Sequence, residues 1–185
     1  QEKCPGRFFN CGVAEANMIS VGAGMALSGL RPVAYTITTF ITARCFEQIK
    51  LDVCYNEAPL VIVGVGAGLS YASLGPTHHS FEDIAILRTL PGLSVLAPAD
   101  PAEVRSALRA AVAHPGPVYI RIGKKGEPAI FSEPPEFVIG RARTVRTGGA
   151  ACLIATGLVL LEALHAADAL AARGIDVEVV HMPTI

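Results

Sequence analysis

The sequence is short of charge, of aromatic side chains and of any excess of one charge sign. Of its 185 residues 17% are charged and 6% aromatic, and tryptophan is absent. Fifteen basic and sixteen acidic residues leave a net charge of −1, which gives no indication of a nucleic-acid or membrane-surface partner. The 51% apolar content excludes a disordered chain, because disorder requires low hydrophobicity. We expect partner subunits to cover so apolar a surface.

Paired cysteine motifs and a signal peptide are also missing from this sequence. The five cysteines are odd in number and form no C-x-x-C pair, which favours reduced thiols in the cytoplasm over disulfides or a zinc site. The longest uncharged run, residues 58–77, is interrupted by Pro59, Pro76 and several glycines. It therefore predicts a buried strand and a loop, and no membrane span.

Short β-rich runs alternate with helical patterns up to residue 123. The predicted strands are residues 32–38, 59–65, 94–97 and 117–122, and the predicted helices are 12–30, 42–55, 80–90 and 100–114. Ser80 and Asp100 are the expected N-terminal caps of the last two helices. This alternation predicts an α/β fold, a mostly parallel sheet with helices on both faces.

The composition changes after this region. Residues 124–136 hold charges and three prolines without periodicity, which predicts a linker between a first domain, 1–123, and a second unit, 137–185. In the second unit we expect strands at 137–145, 151–155 and 176–181 and a helix at 158–173. These elements are too few for a full sheet, so we interpret them as the truncated start of a second α/β domain.

Glu15 is the first candidate for chemistry. It shares a helical face with Ile19 and Gly22, so its carboxylate is expected to point inward along the apolar stripe. Burial would favour the protonated acid, whereas the helix N-terminus would favour the carboxylate. The alternative is a first-turn glutamate that serves only the helix dipole.

A second candidate is the turn Gly75-Pro76-Thr77-His78-His79, because a histidine on a loop can exchange protons near pH 7. Alternatively, one histidine caps the next helix and the other is solvated. Metal binding is disfavoured, since no histidine or cysteine lies at ligand spacing.

Aromatic and basic side chains near predicted strand ends are further candidates. Phe40 and Phe46 could form a floor for a flat ring, although core packing is the default for such residues. Arg121 ends a predicted strand, where parallel sheets bind ligands; a solvated surface arginine is its alternative. The glycines at 64, 66 and 68 fail the G-x-G-x-x-G template and indicate only a backbone that passes close to another group.

Taken together, these stretches resemble the pyrimidine-binding domain of transketolase-type thiamine-diphosphate enzymes. The resemblance covers residues 5–123 and continues from Gly140 into the start of the family's C-terminal domain. The segments that carry it are 7–10 with 12–15, Thr39-Phe40, 75–78 with 82–85, 95–100 and 114–121. The separate C-terminal subunit of split transketolases is the most similar type.

The resemblance implies a role for each candidate. The glutamate that matches Glu15 hydrogen-bonds N1′ of the cofactor's aminopyrimidine, and Phe40 and Phe46 would pack on that ring. His78 would face the reacting carbon and the substrate's hydroxyls, as a catalytic and substrate-binding residue, and Arg121 would bind a substrate phosphate. The implied reaction transfers a two-carbon unit from a ketose to an aldehyde.

Some expected residues are absent. Gly66 stands where sugar-phosphate transketolases have a phosphate-binding histidine, and Leu74 replaces an aspartate that contacts donor hydroxyls. No Gly-Asp-Gly segment is present, so a partner chain with the diphosphate-binding domain is expected to hold Mg²⁺ and the diphosphate, in a homodimer or heterotetramer. The family's pyrimidine domain also begins with a strand that would precede Gln1.

Two alternatives remain open at this point. The chain could belong to deoxyxylulose-phosphate synthases or 2-oxoacid dehydrogenase β-subunits, which share the glutamate and would take a 2-oxo substrate. It could also be a non-catalytic assembly subunit that keeps the fold, an alternative that Gly66 and Leu74 favour and that Glu15 and His78 oppose.

Overall fold

The computed structural model describes residues 2–185, and its strands form two sheets. The strands are β1 (Val33–Ile37), β2 (Val61–Val65), β3 (Ser94–Leu96), β4 (Val118–Ile122), β5 (Arg143–Arg146), β6 (Ala151–Ala155) and β7 (Val177–His181). The helices are α1 (Glu15–Leu27), α2 (Thr38–Ile41), α3 (Phe46–Gln48), α4 (Asp83–Leu87), α5 (Pro101–Ala113) and α6 (Val159–Ala171). A π-helical segment, Ile49–Tyr55, continues α3, and short 3₁₀ turns lie at Pro5–Arg7 and Ala72–Leu74.

The first sheet has the order β1-β2-β4-β3, and every pairing in it is parallel. Alternate residues of its strands point to opposite faces. Ile62 and Tyr119 belong to the core beneath α1 and the π-helical segment, whereas Val63 and Ile120 pack on the face that α5 covers. The predicted mostly parallel sheet with helices on both faces is confirmed.

The second sheet has the order β5-β7-β6, with β6 parallel and β5 antiparallel to β7. Helix α6 buries Leu160 and Ala167 against this sheet. The predicted strand at 137–145 is wrong in its first part. Phe137 and Ile139 do not pair with β7, because they pack against the α5 face of the first sheet.

Two boundaries around α2 and α3 differ from the predictions. The predicted strand 32–38 ends at Ile37, because Thr38 begins α2 and donates its hydroxyl to the carbonyl of Val65. The predicted helix 42–55 begins only at Phe46 and is π-helical from Ile49 onward. Local hydroxyl bonds such as that of Thr42 to the carbonyl of Thr38 compete with a continuous helix here.

Of the two predicted caps, one is confirmed and one is wrong. Asp100 accepts the backbone N–H of Glu103 at 2.7 Å and starts α5. Ser80 does not cap α4, which begins at Asp83. Instead Ser80 is buried and pairs through its backbone with Gly68, which closes the loop between β2 and α4.

The two sheets are joined by backbone and side-chain bonds. The N–H of Ala97 donates to Pro183 and that of Ile185 to Val95, so the chain after β7 pairs beside β3. Glu103 and His181 form a buried hydrogen-bonded pair across the same junction, with 2.7 Å between Oε2 and Nε2. None of the helices formed by residues 2–185 has the length and apolar character needed to cross a membrane.

Candidate functional site

The candidate residues lie around the carboxyl edge of the first sheet, where parallel strands end together and ligands bind. Strand β1 leads directly into α2, which carries Phe40. Strand β2 leads into the loop of residues 66–80, which carries His78, and β4 carries Arg121 next to its last residue. Adjacent parallel strands thus bring together side chains that are far apart in sequence.

Glu15 points inward, as the spacing of α1 predicts. It is the first residue of the helix and is buried together with Ile19 and Gly22. Its Oε2 accepts a hydrogen bond from Nη1 of Arg44 at 2.9 Å, while no described residue donates to its other oxygen. One carboxylate oxygen is therefore held in place, and the other can bind a further donor.

A chain of contacts connects Glu15 with His78. The Arg44 guanidinium lies over the Phe40 ring, 4.5 Å from its centroid. The Phe40 ring in turn meets the His78 imidazole edge to face, with 5.2 Å between the centroids. Arg44 therefore connects the buried carboxylate to the loop histidine through one half-buried aromatic ring.

The imidazole of His78 is half-buried and oriented by its neighbours. Its Nδ1 lies 3.0 Å from the Thr77 hydroxyl, and the Tyr71 ring is 5.9 Å away between centroids. The ammonium of Lys124 lies over the other side of this cluster, 4.6 Å from the Tyr71 centroid. His79 takes a different position, with its Nε2 3.3 Å from the carbonyl of Ala72. The two adjacent histidines are thus separated, and His78 alone joins the Phe40 ring.

Arg121 is not the solvated surface arginine of the alternative interpretation. Its Nε donates to Oδ2 of Asp83 at 2.8 Å, and its side chain is 20% exposed. The same oxygen accepts the Tyr119 hydroxyl, also at 2.8 Å. Burial, followed by the charge of Asp83, raises the pKa of Tyr119 well above its ordinary value, so the hydroxyl stays a donor.

Phe46 lies apart from these contacts. Its partly buried side chain packs against the core cluster that includes Ile19 and Ile49, which agrees with core packing as the default for such residues. A cofactor contact by Phe46 stays a prediction.

Comparison with known proteins identifies the family in which this arrangement occurs. The pattern of the transketolase pyrimidine-binding domain matches residues 1–127, and that of the transketolase C-terminal domain matches residues 140–185. The chain belongs to the transketolase family. The resemblance of its motifs is thereby confirmed.

Curated relatives of this transketolase-family chain include separate subunits. The 6-deoxy-6-sulfo-D-fructose transketolase subunit SqwH of Clostridium sp. is 41% identical over 184 residues, which is 100% of this chain and 57% of that protein. A subunit of the apulose-4-phosphate transketolase of Actinobacillus succinogenes is 39% identical over 98% of this chain and 58% of its own length. The chain thus spans a little over half the length of these relatives.

A solved structure agrees with the fold. A split-gene transketolase, described as an inactive β4 tetramer, superimposes with a TM-score of 0.91 at 37% identity. The match covers 100% of this chain and 59% of that one.

Membership in the transketolase family implies use of thiamine diphosphate, and the residues present fit its aminopyrimidine end. Glu15 offers a carboxylate oxygen that Arg44 does not occupy, and it borders a groove of about 490 Å³ that Phe9, Gly12 and Met18 also line. The diphosphate end is different. Residues 2–185 contain no group of three histidine, cysteine, aspartate or glutamate side chains that could hold a metal ion.

Gly66 occupies a position that opposes a side chain. Its φ of +78° lies in the left-handed region, and a Cβ there would collide with the Tyr71 ring. At Gly64 an added Cβ would lie 2.8 Å from the Tyr119 hydroxyl. The interpretation as points of close approach is confirmed for Gly64 and Gly66, where Tyr71 fills the space beside Gly66, but not for Gly68, where an added Cβ would make an ordinary contact at 3.6 Å.

Sequence reasoning missed four residues that shape this site: Arg44, Tyr71, Asp83 and Lys124. Arg44 was visible between the two phenylalanines but had no assigned partner, because the pair with Glu15 spans 29 positions. Asp83 carried a weak signal as an acid in the first turn of a predicted helix, a place where most acids simply suit the helix dipole. Tyr71 and Lys124 had no signal in the sequence.

Proposed function

We propose that this chain is the pyrimidine-binding part of a split, thiamine-diphosphate-dependent transketolase. The reaction transfers a two-carbon unit from a ketose donor to an aldehyde acceptor. The observation that supports this best is the buried Glu15 carboxylate, held on one side by Arg44 and connected through Phe40 to His78. The similarity to two separate transketolase subunits supports the same proposal.

Each residue has a specific task in this proposal. Thiamine diphosphate, when bound, supplies the carbon nucleophile that attacks the donor's carbonyl. Glu15 binds the aminopyrimidine N1′ through its free oxygen, while Arg44 fixes the carboxylate by the ion pair at 2.9 Å. Phe40 provides apolar surface for the ring; a contribution from Phe46, whose side chain packs against the core, stays a prediction.

We assign contact with the substrate to His78 and Arg121. His78 holds or moves a proton at the reacting carbonyl oxygen and the donor hydroxyls, since its Nδ1 bonds Thr77 and its Nε2 is left for the substrate. Arg121 binds an anionic group of the substrate through its guanidinium nitrogens. Gly66 and Leu74 do not supply the histidine and aspartate of sugar-phosphate transketolases, so the proposal does not assign the ordinary pentose phosphates as donor and acceptor.

The partner in this proposal is a diphosphate-binding transketolase subunit that holds Mg²⁺. In this proposal the cofactor site is shared between the two subunits. The similar split-gene protein is inactive as a β4 tetramer, which supports the expectation that this chain needs its partner. A cytoplasmic location remains an expectation from the free cysteines.

Glu15→Gln provides the decisive test. The reconstituted complex is expected to lose at least about a hundredfold in kcat, since general acid–base groups contribute factors of this size. Ketol transfer with a ketose donor and aldehyde acceptor measures the loss. Glu162→Gln, at an exposed position of α6, is the matched control and should behave as wild type. Full activity of Glu15→Gln contradicts the proposed mechanism.

Two assays separate the alternatives. Release of carbon dioxide from pyruvate without use of a ketose would assign the chain to the deoxyxylulose-phosphate synthase or 2-oxoacid dehydrogenase type. Calorimetry of the reconstituted complex that detects no thiamine diphosphate binding would instead support a non-catalytic assembly subunit.

A further inference from the structure

We propose that Asp83 is a positioning residue for the substrate's anionic group: it fixes Arg121 so that the outer guanidinium edge faces the loop carrying His78. This inference rests on the proposed function, because it assigns Arg121 to the substrate. It adds a residue, Asp83, that has no other assigned role in the site.

The first argument is the burial of Asp83. Its side chain is 0% exposed, yet it carries a carboxylate in the first turn of α4. Burying a charge costs free energy unless charged and hydrogen-bonding partners surround it. Asp83 has both, the Arg121 guanidinium and the Tyr119 hydroxyl, each 2.8 Å from the same oxygen. Two buried or half-buried partners thus hold this carboxylate in one position.

The second argument is the way in which Arg121 is held. Asp83 contacts it at Nε, the innermost nitrogen of the guanidinium. A guanidinium has five N–H donors in a fixed plane, so an anchored Nε sets the direction of the two outer nitrogens. Those nitrogens carry the four N–H groups that bind a phosphate or sulfonate in a bidentate manner.

The third argument is where the outer edge lies. A Cβ placed on Gly68 would be 3.6 Å from Nη2 of Arg121, so the guanidinium end lies against this glycine. Gly68 exchanges two backbone hydrogen bonds with Ser80, two residues after His78. The outer edge of Arg121 therefore lies at the base of the loop that carries the histidine.

A buried hydroxyl beside the Gly68–Ser80 pairing also lacks a partner. The hydroxyl of Ser80 is buried and has no hydrogen-bond partner among the described residues. Buried polar groups are nearly always paired, and a hydroxyl can donate to an anionic oxygen. Oδ1 of Asp83 is likewise unpaired, but a carboxylate oxygen only accepts, so it takes no part in binding an anion.

Removing the Asp83 charge distinguishes positioning of Arg121 from simple electrostatic attraction of the anion. The Asp83–Arg121 pair has no net charge, so removing the carboxylate leaves a free positive charge beside the loop. If charge alone governed binding, Asp83→Asn would bind anions more tightly. If Asp83 positions Arg121, the same variant binds them more weakly, because the guanidinium loses its fixed direction.

The first experiment compares two donors in the complex with the partner subunit. For Asp83→Asn we expect the KM of a phosphorylated ketose to rise about tenfold or more, the factor for losing one charge-assisted hydrogen bond. For a neutral ketose such as erythrulose the KM should rise by much less, with kcat reduced similarly for both donors. Asp168→Asn, which removes a similar but exposed ion pair with Arg146, is the matched control. An equal rise in KM for both donors would overturn the inference.

The second experiment is independent of activity. Inorganic phosphate is titrated into the ¹⁵N-labelled subunit while the Nε–H resonance of Arg121 is followed by NMR. In wild type this resonance should exchange slowly and shift with phosphate; in Asp83→Asn it should exchange fast, with the phosphate Kd raised about tenfold. Tighter phosphate binding by the variant would overturn the inference.

Tyr119→Phe serves if Asp83→Asn does not fold. It keeps the ion pair and removes one of the two hydrogen bonds to Asp83, so the same selective effects should appear at smaller size. A complex that transfers ketol from neither donor would refute the proposed function, and the NMR experiment would still decide the role of Asp83.

Discussion

Gly66 shows how one residue constrains the whole loop that carries His78. Its left-handed backbone and the adjacent Tyr71 ring both oppose a side chain at this position. Tyr71 in turn supports Lys124 above it and borders His78. A histidine at position 66, as in sugar-phosphate transketolases, would therefore require the tyrosine to move.

A double-mutant cycle tests this coupling. Gly66→Ala is expected to destabilise the chain by about 1–3 kcal/mol, from left-handed strain and the clash with Tyr71. Tyr71→Ala should relieve the clash but not the strain, so the double variant should recover about 1 kcal/mol relative to additivity. Urea unfolding followed by circular dichroism gives the free energies. Strict additivity would show that the Tyr71 ring does not oppose the side chain.

How much of the site the sequence predicts depends on the range of each interaction. The inward direction of Glu15 follows from helical spacing within α1 and is confirmed. The pairs of Arg44 with Glu15 and of Asp83 with Arg121 join segments 29 and 38 positions apart, which no local pattern encodes. The roles of Glu15, Phe40, His78 and Arg121 came from the resemblance and stay predictions until the variants are measured.

At the scale of elements, Asp100 organises the start of α5 and the linker together. One carboxylate oxygen caps the helix through the N–H of Glu103, as the sequence predicts. The other oxygen accepts the N–H groups of Ile130 and Phe131, both at 2.8 Å. The Asp100 side chain therefore connects the linker, residues 124–136, with the N-terminus of α5.

Replacement of Asp100 should reveal both functions. Asp100→Ala is expected to cost about 2–4 kcal/mol of unfolding free energy, because it removes a cap and leaves two linker N–H groups without their acceptor. Asp100→Asn keeps one acceptor oxygen and should cost less. Proteolysis within residues 124–136 should accelerate in the alanine variant. If cleavage there stays at the wild-type rate, Asp100 does not hold the linker.

Local signals predicted most of the elements, and their failures have a common cause. The caps and glycines around α5 and α6 are short-range features and gave correct boundaries. The errors at Ser80, at α2 and at residues 137–142 occur where a side chain or backbone pairs with a distant segment. Tertiary contacts override local preference at these places.

At the scale of the whole molecule, the apolar composition is only partly used inside the chain. Apolar side chains are exposed on the edge strand β1, at Val33 and Tyr35, and in or next to the loop of residues 66–80, at Leu74 and Phe81. Such surface on a chain that spans little more than half of its relatives is consistent with the expected partner interface. The amount of exposed apolar surface could be anticipated from the composition, but its position on the molecule follows only from the fold.

A buried side-chain pair, Glu103 and His181, lies at the junction between the two sheets. Oε2 of Glu103 accepts the N–H of Ala99 and lies 2.7 Å from Nε2 of His181. The other ring nitrogen of His181 faces the carbonyl of Ala155 at 3.3 Å. Both ring nitrogens of His181 thus lie close to an oxygen atom, and His181 and Ala99 are the hydrogen-bond partners of Oε2 of Glu103.

His181→Ala should consequently loosen the whole junction. It removes one hydrogen-bond partner of the buried Glu103 carboxyl group, and an unsatisfied buried polar group costs about 1–3 kcal/mol. Urea unfolding by circular dichroism measures this cost, since the chain has no tryptophan for fluorescence. Hydrogen exchange should also quicken at Ala97 and Ile185, whose N–H groups bridge the two units. His165→Ala, at an exposed histidine of α6, is the matched control and should change neither readout. A His181→Ala protein as stable and as protected as wild type would show that backbone pairing alone joins the two sheets.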